Sequence, residues 1–231
     1  MASGPLTRTY ARGLVAARCV TIAIATSLGR VFRSRAERKV AEAGYDPKRL
    51  PPGQYLTDKW PVLHAGSVPH TDLATWDFRV FGSVENEISL SFDELQALPQ
   101  TEVTTDIHCV TRWSRFDTSF RGVHWRELAN RVRPRPGARY VVAHAEQGFT
   151  ANVPLAALED DTALVVYEAD GEPLTPEHGW PVRLLIPSRY FWKSAKWLRG
   201  LELSSVDKPG FWERYGYHNE ADYRKEQRYS F

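Results

Sequence analysis

Thr101-Glu-Val-Thr-Thr-Asp-Ile-His-Cys109-Val-Thr-Arg-Trp113 is the stretch that decides the expected fold, because it joins a strand pattern to a cysteine followed by cations. β-Branched residues are frequent up to Val110, which predicts a strand with Cys109 at its C-terminal end. Arg112 and Arg115 follow closely, and nearby cations favour the thiolate form of a cysteine. The stretch therefore predicts a thiol with thiolate character at the end of a strand.

Short elements flank this strand on both sides. Ser91-Phe-Asp-Glu94 has the form of a capping box and predicts a short helix. A second, amphipathic helix is predicted over 125–132, and alternating or apolar runs predict short strands over 77–81, 87–91, 120–123, 139–145, 149–153, 163–168, 182–186 and 197–204. Many short strands with a few short helices predict an α+β fold.

The N-terminal residues 1–49 differ from the rest. They carry ten Arg or Lys against three acids, and Ser34 begins a short helix that Gly44 and Pro47 stop. We predict a basic N-terminal arm over 1–49 and a compact domain over 50–231, whose tail from Phe211 wraps the surface.

The apolar part of the arm, 19–29, is too short to cross a bilayer of roughly 30 Å as a helix. We predict no stable transmembrane span and an amphipathic or disordered arm, with a signal-peptide core as the alternative. The two cysteines form no disulfide framework, so a reducing compartment is expected. The prediction is a cytoplasmic protein, with export or membrane association through the arm as the alternative.

Composition and motifs exclude several function classes. The net charge is +2, which gives no indication of nucleic-acid binding. The sequence contains no Gly-x-Gly-x-x-Gly and no Gly-x-x-x-x-Gly-Lys-Ser/Thr, so the usual nucleotide phosphate loops are absent from it.

Three roles are open to Cys109 from its own context. It is an inert buried thiol, a nucleophile with His108 or His144 as base, or a ligand to a thiophilic metal. Adjacent residues on a strand point to opposite faces, which disfavours His108 as the partner of a nucleophile. A binding module without catalysis that holds a phosphate ligand is a further alternative.

Two blocks farther along the chain bear on this choice. His178-Gly-Trp-Pro-Val-Arg183-Leu-Leu-Ile-Pro187 is followed closely by Tyr190-Phe-Trp-Lys-Ser194-Ala-Lys196-Trp197. Arginine, lysine and aromatic rings in this density suit a pocket for a planar anionic ligand.

Together with His-Cys109-Val-Thr-Arg-Trp-Ser, the two blocks resemble the molybdopterin-binding domain of the sulfite oxidase family. The resemblance runs from about Leu50 to Leu203 and is greatest to bacterial single-domain members, similar to the catalytic subunit of methionine-sulfoxide reductase. It implies a mixed, strand-rich sulfite-oxidase-type fold and one molybdenum–molybdopterin per chain, without haem. It also implies an external electron carrier, such as a cytochrome or a haem membrane subunit.

The resemblance also implies site residues. Cys109 matches the metal-ligating cysteine, and Arg112 is preferred over Arg115 and Arg121 for drawing the substrate to the metal. The cofactor-contacting positions it implies are Asp58, Lys59, Trp60, Pro61, His108, His144, Ala145, His178, Arg183, Ser194, Ala195 and Lys196.

The implied reaction is oxygen-atom transfer to or from a small sulfite-like oxyanion or sulfoxide-like substrate, with two electrons exchanged with a separate partner. Thr111 and Ala145 stand where the sulfoxide reductases carry glutamate and threonine, and Asp58 stands where relatives often carry asparagine. Because these departures fall on the pocket, the substrate does not transfer with the resemblance.

Overall fold

The computed structural model describes residues 34–230. The helices are α1 (Arg35–Glu42), α2 (Phe92–Gln96), α3 (Trp125–Val132) and α4 (Phe211–Arg214). The strands are β1 (Tyr55–Leu56), β2 (Phe78–Gly82), β3 (Ile88–Leu90), β4 (Thr101–His108), β5 (Trp113–His124), β6 (Tyr140–Ala145), β7 (Thr150–Pro154), β8 (Leu164–Ala169), β9 (Glu172–Pro173), β10 (Arg183–Leu185) and β11 (Leu198–Ser204).

The strands form two mixed sheets. One has the order β1-β5-β8-β10, with β4 also paired to β5 and β9 to β8, and β1 runs parallel to β5. The other has the order β3-β2-β11-β6-β7, with β11 parallel to β2. This mixed, strand-rich architecture with short helices confirms the predicted α+β class.

The strand before Cys109 and the hairpin β6–β7 form as predicted. The predicted strand over 120–123 was too short, because β5 begins at Trp113. Buried and more exposed side chains alternate along its first part, which is typical of a strand. Asp117, with a φ of 49°, interrupts the extended backbone where the register with β4 shifts. Near its end, Gly122 lies so close to β8 that an added Cβ would stand 2.1 Å from the carbonyl oxygen of Val165.

The predicted helix boundaries agree with the caps. Ser91 and Glu94 form the predicted capping box of α2, and Ser34 and Glu37 form another at the start of α1. α3 spans the predicted residues. Capping groups satisfy backbone N–H donors that have no partner inside the helix, so short helices of this kind need them.

α1 packs on the domain, since Val40 is fully buried. Arg49 joins Asp106 on β4 through hydrogen bonds of 3.0 and 2.6 Å. The division at residue 50 stays a prediction, and the first 33 residues of the predicted arm lie outside the described residues. Within residues 34–230, no helix is long and apolar enough to cross a membrane.

Within residues 34–230, two apolar clusters make up the core. One joins side chains of both sheets to helices α2 and α3, and the other lies around Cys109. The tail contributes to the second cluster through buried Ala221 and Tyr223, and Arg228 is only 8% exposed. The tail therefore contributes to the core as well as to the surface, and its predicted wrapping of the surface stays a prediction. Burial of its aromatic rings stabilises the folded state, although the spacing of these rings shows no helix or strand period.

Candidate active site

A cavity of about 480 Å³ lies beside the turn that follows β4. Its walls carry the side chains of Cys109, Arg183 and Lys196, and nine aromatic side chains line it: Trp60, Trp113, Phe149, Phe191, Trp192, Trp197, Phe211, Trp212 and Tyr217. The volume falls within the usual range for sites that bind small molecules and cofactors. The cavity thus unites a thiol, two cations and planar apolar surfaces.

Cys109 occupies a tight turn between β4 and β5. Its N–H donates to the carbonyl oxygen of Trp113 at 2.9 Å, and the N–H of Arg112 donates back to the carbonyl oxygen of Cys109 at 3.0 Å. Arg112 has a positive φ of 78°, a conformation uncommon outside glycine, which lets the chain reverse at this point. The hydroxyl of Thr111 donates to the sulfur at 3.2 Å.

Cys109 is buried, with 8% of the residue exposed. Burial raises its pKa, and the hydrogen bond from Thr111 acts in the opposite direction. A thiol whose neutral form is favoured by burial is a poor nucleophile at neutral pH. A bound cation would reverse that preference, because coordination to a metal deprotonates a thiol.

Arg183 is the most unusual charge in the cavity. It is 1% exposed, and its guanidinium donates to the carbonyl oxygens of His178 at 3.0 Å and Ser194 at 2.8 Å. Its Nε–H is buried without a hydrogen-bond partner among residues 34–230. Burial lowers its pKa to about 9, and no carboxylate of the described residues offsets that burial. A buried cation left in this state favours an anionic ligand.

Lys196 adds a second cation. Its ammonium donates to the carbonyl oxygen of Glu177 at 2.6 Å. Burial and the charge of Arg183 lower its pKa to about 7. Gly179 brings the two cations together: it has a φ of 111°, and an added Cβ would stand 3.0 Å from the Cβ of Lys196 and 3.2 Å from that of Arg183.

Trp60 and His178 close one wall. Their ring centroids are 4.2 Å apart, and the guanidinium of Arg183 lies 5.6 Å from the Trp60 ring and 4.1 Å from that of Phe191. His178 approaches the carbonyl oxygen of Trp60 through Nε2 at 3.3 Å. The wall therefore places flat rings directly against the buried charge.

The structure brings seven of the predicted site residues to the cavity: Trp60, Pro61, Cys109, Arg183, Ser194, Ala195 and Lys196. His178 lies behind them through its contacts with Trp60 and Arg183. Six others are outside the lining formed by the described residues: Asp58, Lys59, His108, Arg112, His144 and Ala145. The roles of all these residues at the site stay predictions.

The two histidines proposed as bases have partners elsewhere. His108 contacts the hydroxyl of Ser114 through Nδ1 at 2.9 Å and lines a separate surface cavity. Burial lowers its pKa to about 4. His144 lies on β6 with Nε2 at 2.9 Å from a carboxylate oxygen of Glu202.

The arginines proposed to draw the substrate are also outside this lining. Arg112 is exposed at the turn. Arg115 pairs with Asp170 at 2.6 Å and Arg121 with Glu168 at 3.5 Å, so both have carboxylate partners. Proximity in sequence to Cys109 does not bring Arg112 to this lining, because the turn reverses the chain after the thiol, and its role stays a prediction.

Three parts of the cavity lining were not predicted from the sequence. They are the segment from Leu63 to Gly66, the turn from Glu146 to Phe149, and the aromatic residues Phe211, Trp212 and Tyr217 of the tail. Gln147 has a φ of 58° and donates to the carbonyl oxygen of Ser67 at 3.3 Å, which joins the first two parts. The high aromatic content of the tail was the one signal that pointed to any of them.

Comparison with known proteins identifies the family of the chain. The family model described as "Oxidoreductase molybdopterin binding domain" matches residues 65–212. The uncharacterized oxidoreductase YuiH of Bacillus subtilis is 46% identical over 184 residues, which cover 79% of this chain and 93% of that protein.

More distant relatives extend the comparison. The mitochondrial sulfite oxidase of Rattus norvegicus is 28% identical over 203 residues, covering 72% of this chain and 37% of that protein. The crystal structure of the sulfane dehydrogenase SoxCD from Paracoccus pantotrophus superimposes with a TM-score of 0.57 at 20% identity, over 62% of this chain and 42% of that one, which shows a shared fold. The chain belongs to the sulfite oxidase family of molybdopterin-binding oxidoreductases.

Proposed function

We propose that the cavity holds one molybdenum–molybdopterin per chain and that Cys109 is the protein's ligand to the metal. The observation that carries the proposal is Arg183, a buried guanidinium in the cavity that Cys109 also lines. Its Nε–H has no hydrogen-bond partner in the described part of the chain. Such a charge costs free energy unless an anion accompanies it, and the phosphate of a pterin cofactor is an anion.

The remaining donors fit the same ligand. Lys196 supplies a second positive charge, and the indole N–H of Trp113, which is buried in the cavity wall, has no hydrogen-bond partner among the described residues. The flat walls near Trp60 and Phe191 suit a planar ring system. Cations for the phosphate, rings for the pterin and a thiol for the metal therefore occur in one cavity.

The protein's part is to bind, orient and exclude water. When bound, the cofactor supplies two-electron chemistry at a metal that exchanges an oxygen atom with the substrate. Thr111 donates to the sulfur of Cys109 and so fixes the direction of its lone pairs. The nine aromatic side chains keep the space around that sulfur apolar.

We propose a sulfoxide-like substrate in preference to a sulfite-like oxyanion. Arg183 and Lys196 are the strong cations of the lining, and the cofactor phosphate engages both of them in this account. The rest of the wall is dominated by the rings of Phe211, Trp212 and Tyr217, which suit an uncharged substrate with apolar substituents. Reduction of a sulfoxide consumes two electrons and two protons and yields a sulfide and water.

Those two electrons come from a donor. We propose a separate electron carrier, such as a cytochrome or a haem membrane subunit, that delivers them one at a time. A reduced viologen dye replaces such a carrier in an assay, so the substrate is testable before the carrier is known.

The contacts of Cys109 do not favour the hydrolase alternative. Its sulfur accepts from the hydroxyl of Thr111, whereas His108 and His144 are engaged with Ser114 and Glu202. A Cys–His pair would need the imidazole within hydrogen-bond reach of the thiol. The alternative of a phosphate-binding module makes a different prediction, namely an anion in the cavity without metal.

Metal analysis tests the proposal. The protein is purified from a host that makes the cofactor, and we expect about one molybdenum per chain, a visible thiolate-to-metal absorption band, and viologen-driven reduction of a dialkyl sulfoxide. In Cys109→Ser the band should be lost. A metal-free protein with undiminished activity would contradict the proposal and favour a hydrolase, and a metal-free protein that binds phosphate would favour a binding module.

A further inference from the structure

The turn that carries Cys109 is held by side chains from both flanks of the chain. The amide of Gln54 donates to the carbonyl oxygen of Cys109 at 3.0 Å, and the guanidinium of Arg228 donates to that of Val110 at 2.6 Å. The two donors are 174 residues apart in sequence and meet on two consecutive carbonyl groups. We call this pair the Gln54–Arg228 clamp.

Arg228 is itself fixed in place. It is 8% exposed, lies 4.9 Å from the ring centroid of Tyr190, and donates through its other terminal nitrogen to the carbonyl oxygen of Pro52 at 3.3 Å. At the intervening Gly53, which has a φ of 68°, an added Cβ would stand 2.9 Å from a carboxylate oxygen of Glu226 and 3.4 Å from Arg228. Residues 52–54 and the tail around Glu226 and Arg228 are thus packed tightly together.

The charge of Arg228 is only weakly compensated. Its carboxylate partner, Glu226, lies 3.9 Å away and is half exposed. The positive charge also acts on the thiol of Cys109. A buried cation near an anionic sulfur ligand stabilises the more reduced, more negatively charged state of a metal centre, which raises its reduction potential.

Resting on the proposed function, we propose that Arg228 is a positioning residue for the metal ligand. With Gln54 it fixes the carbonyl groups of the Cys109 turn and so the place of the sulfur, and its charge raises the reduction potential of the metal that this sulfur binds. Both residues lie outside 65–212, so the flanks of the chain supply this contact.

Two measurements on Arg228→Met test the inference. In apoprotein, iodoacetamide should alkylate Cys109 at least about fivefold faster, because the turn is released. Peptide mass spectrometry measures this rate and separates Cys109 from Cys19. In the loaded protein, the midpoint potential of the molybdenum centre, followed by electron paramagnetic resonance, should fall. Arg228→Lys keeps the positive charge but loses the two terminal nitrogens of the guanidinium. The midpoint potential of this variant should therefore lie closer to that of the wild type than that of Arg228→Met does.

Arg224→Met is the matched control, since Arg224 is an exposed arginine of the same tail. Gln54→Met removes the other donor of the clamp and provides a second test if Arg228→Met does not fold. Unchanged alkylation in a folded Arg228→Met would overturn the inference. Faster alkylation at an unchanged potential would overturn the electrostatic part of the inference, because Arg228 would then position Cys109 without acting on the metal. If the wild type carries no molybdenum, the proposed function fails, and alkylation alone decides whether the clamp positions Cys109.

Discussion

Arg183 donates a 2.8 Å hydrogen bond to the carbonyl oxygen of Ser194, which joins β10 to the loop that carries Lys196. The bond makes one rigid unit of two segments that each contribute a cation to the cavity. The same guanidinium has a buried Nε–H that no group of the described residues accepts. The predictions below follow from this surplus of positive charge around Cys109.

Replacing Arg183 should weaken cofactor binding. Hydrogen bonds to a charged group contribute about 1.5–3 kcal/mol each, so Arg183→Met should lower cofactor affinity about ten- to hundredfold. Molybdenum per chain after dialysis measures this loss. Arg121→Met is the control, because Arg121 is half exposed and paired with Glu168 outside the cavity. Equal molybdenum content in Arg183→Met and the wild type would count against a phosphate site at Arg183.

Lys196 should make the stability of the apoprotein depend on pH. Its pKa is about 7 in the folded chain, against an ordinary value of 10.5. Between these pH values the unfolded chain binds the extra proton, so the free energy of unfolding rises with pH across this window. Lys196→Met should remove that part of the slope, and urea unfolding between about pH 6 and pH 10 measures it.

Lys225→Met is the control for Lys196, because Lys225 is an exposed lysine of the tail. It should keep the wild-type slope. If Lys196→Met shows that slope as well, the ammonium of Lys196 is not desolvated as described. Added pyrophosphate should flatten the slope in the wild type, since an anion bound at Lys196 restores its proton.

Gly179→Ala should disturb both cations at once. A side chain there is strained by the φ of 111° and would meet Lys196 and Arg183 at 3.0–3.2 Å. We expect a loss of about 1–3 kcal/mol in the free energy of unfolding, together with lower molybdenum content. Gly137→Ala is matched, because an added Cβ there meets nothing within 4 Å. Identical behaviour of the two variants would contradict the close approach at Gly179.

The aromatic wall should act on the substrate and not on the cofactor. Trp212→Ala removes a ring that lines the cavity and stands 5.1 Å from Tyr217. Aromatic contacts contribute about 0.5–1.5 kcal/mol beyond their buried area, so KM for a sulfoxide should rise about two- to tenfold. Molybdenum content should stay unchanged. Tyr215→Ala, at a neighbouring residue that is 70% exposed, should leave KM unaltered; the same rise in both variants would place the substrate elsewhere.

Much of the fold could be predicted from local patterns. The capping boxes at Ser34 and Ser91, the helix over 125–132 and the hairpin β6–β7 depend on residues close together in sequence. The tail could not be placed in this way. Its buried residues Tyr223 and Arg228 contact groups 115 to 176 residues earlier, and no local period records such contacts.

In the candidate site, too, residues in local motifs could be predicted, whereas side-chain directions could not. Cys109, Arg183 and Lys196 were identified through motifs, and the structure brings all three to one cavity. Arg112 was chosen because it follows Cys109 closely, but a turn with a φ of 78° separates it from the lining. His144 was chosen from its strand, yet its side chain pairs with Glu202 of β11. In both cases the direction of the side chain depends on backbone geometry and on a partner strand that sequence spacing does not specify.

The claim that Cys109 ligates molybdenum is tested most directly by X-ray absorption at the molybdenum K edge. Wild-type protein and Cys109→Ser are purified from a host that makes the cofactor, and the sulfur atoms bound to the metal are counted in each. The account predicts one sulfur ligand fewer in Cys109→Ser, with an oxygen ligand in its place. The same number of sulfur ligands in both proteins would contradict it.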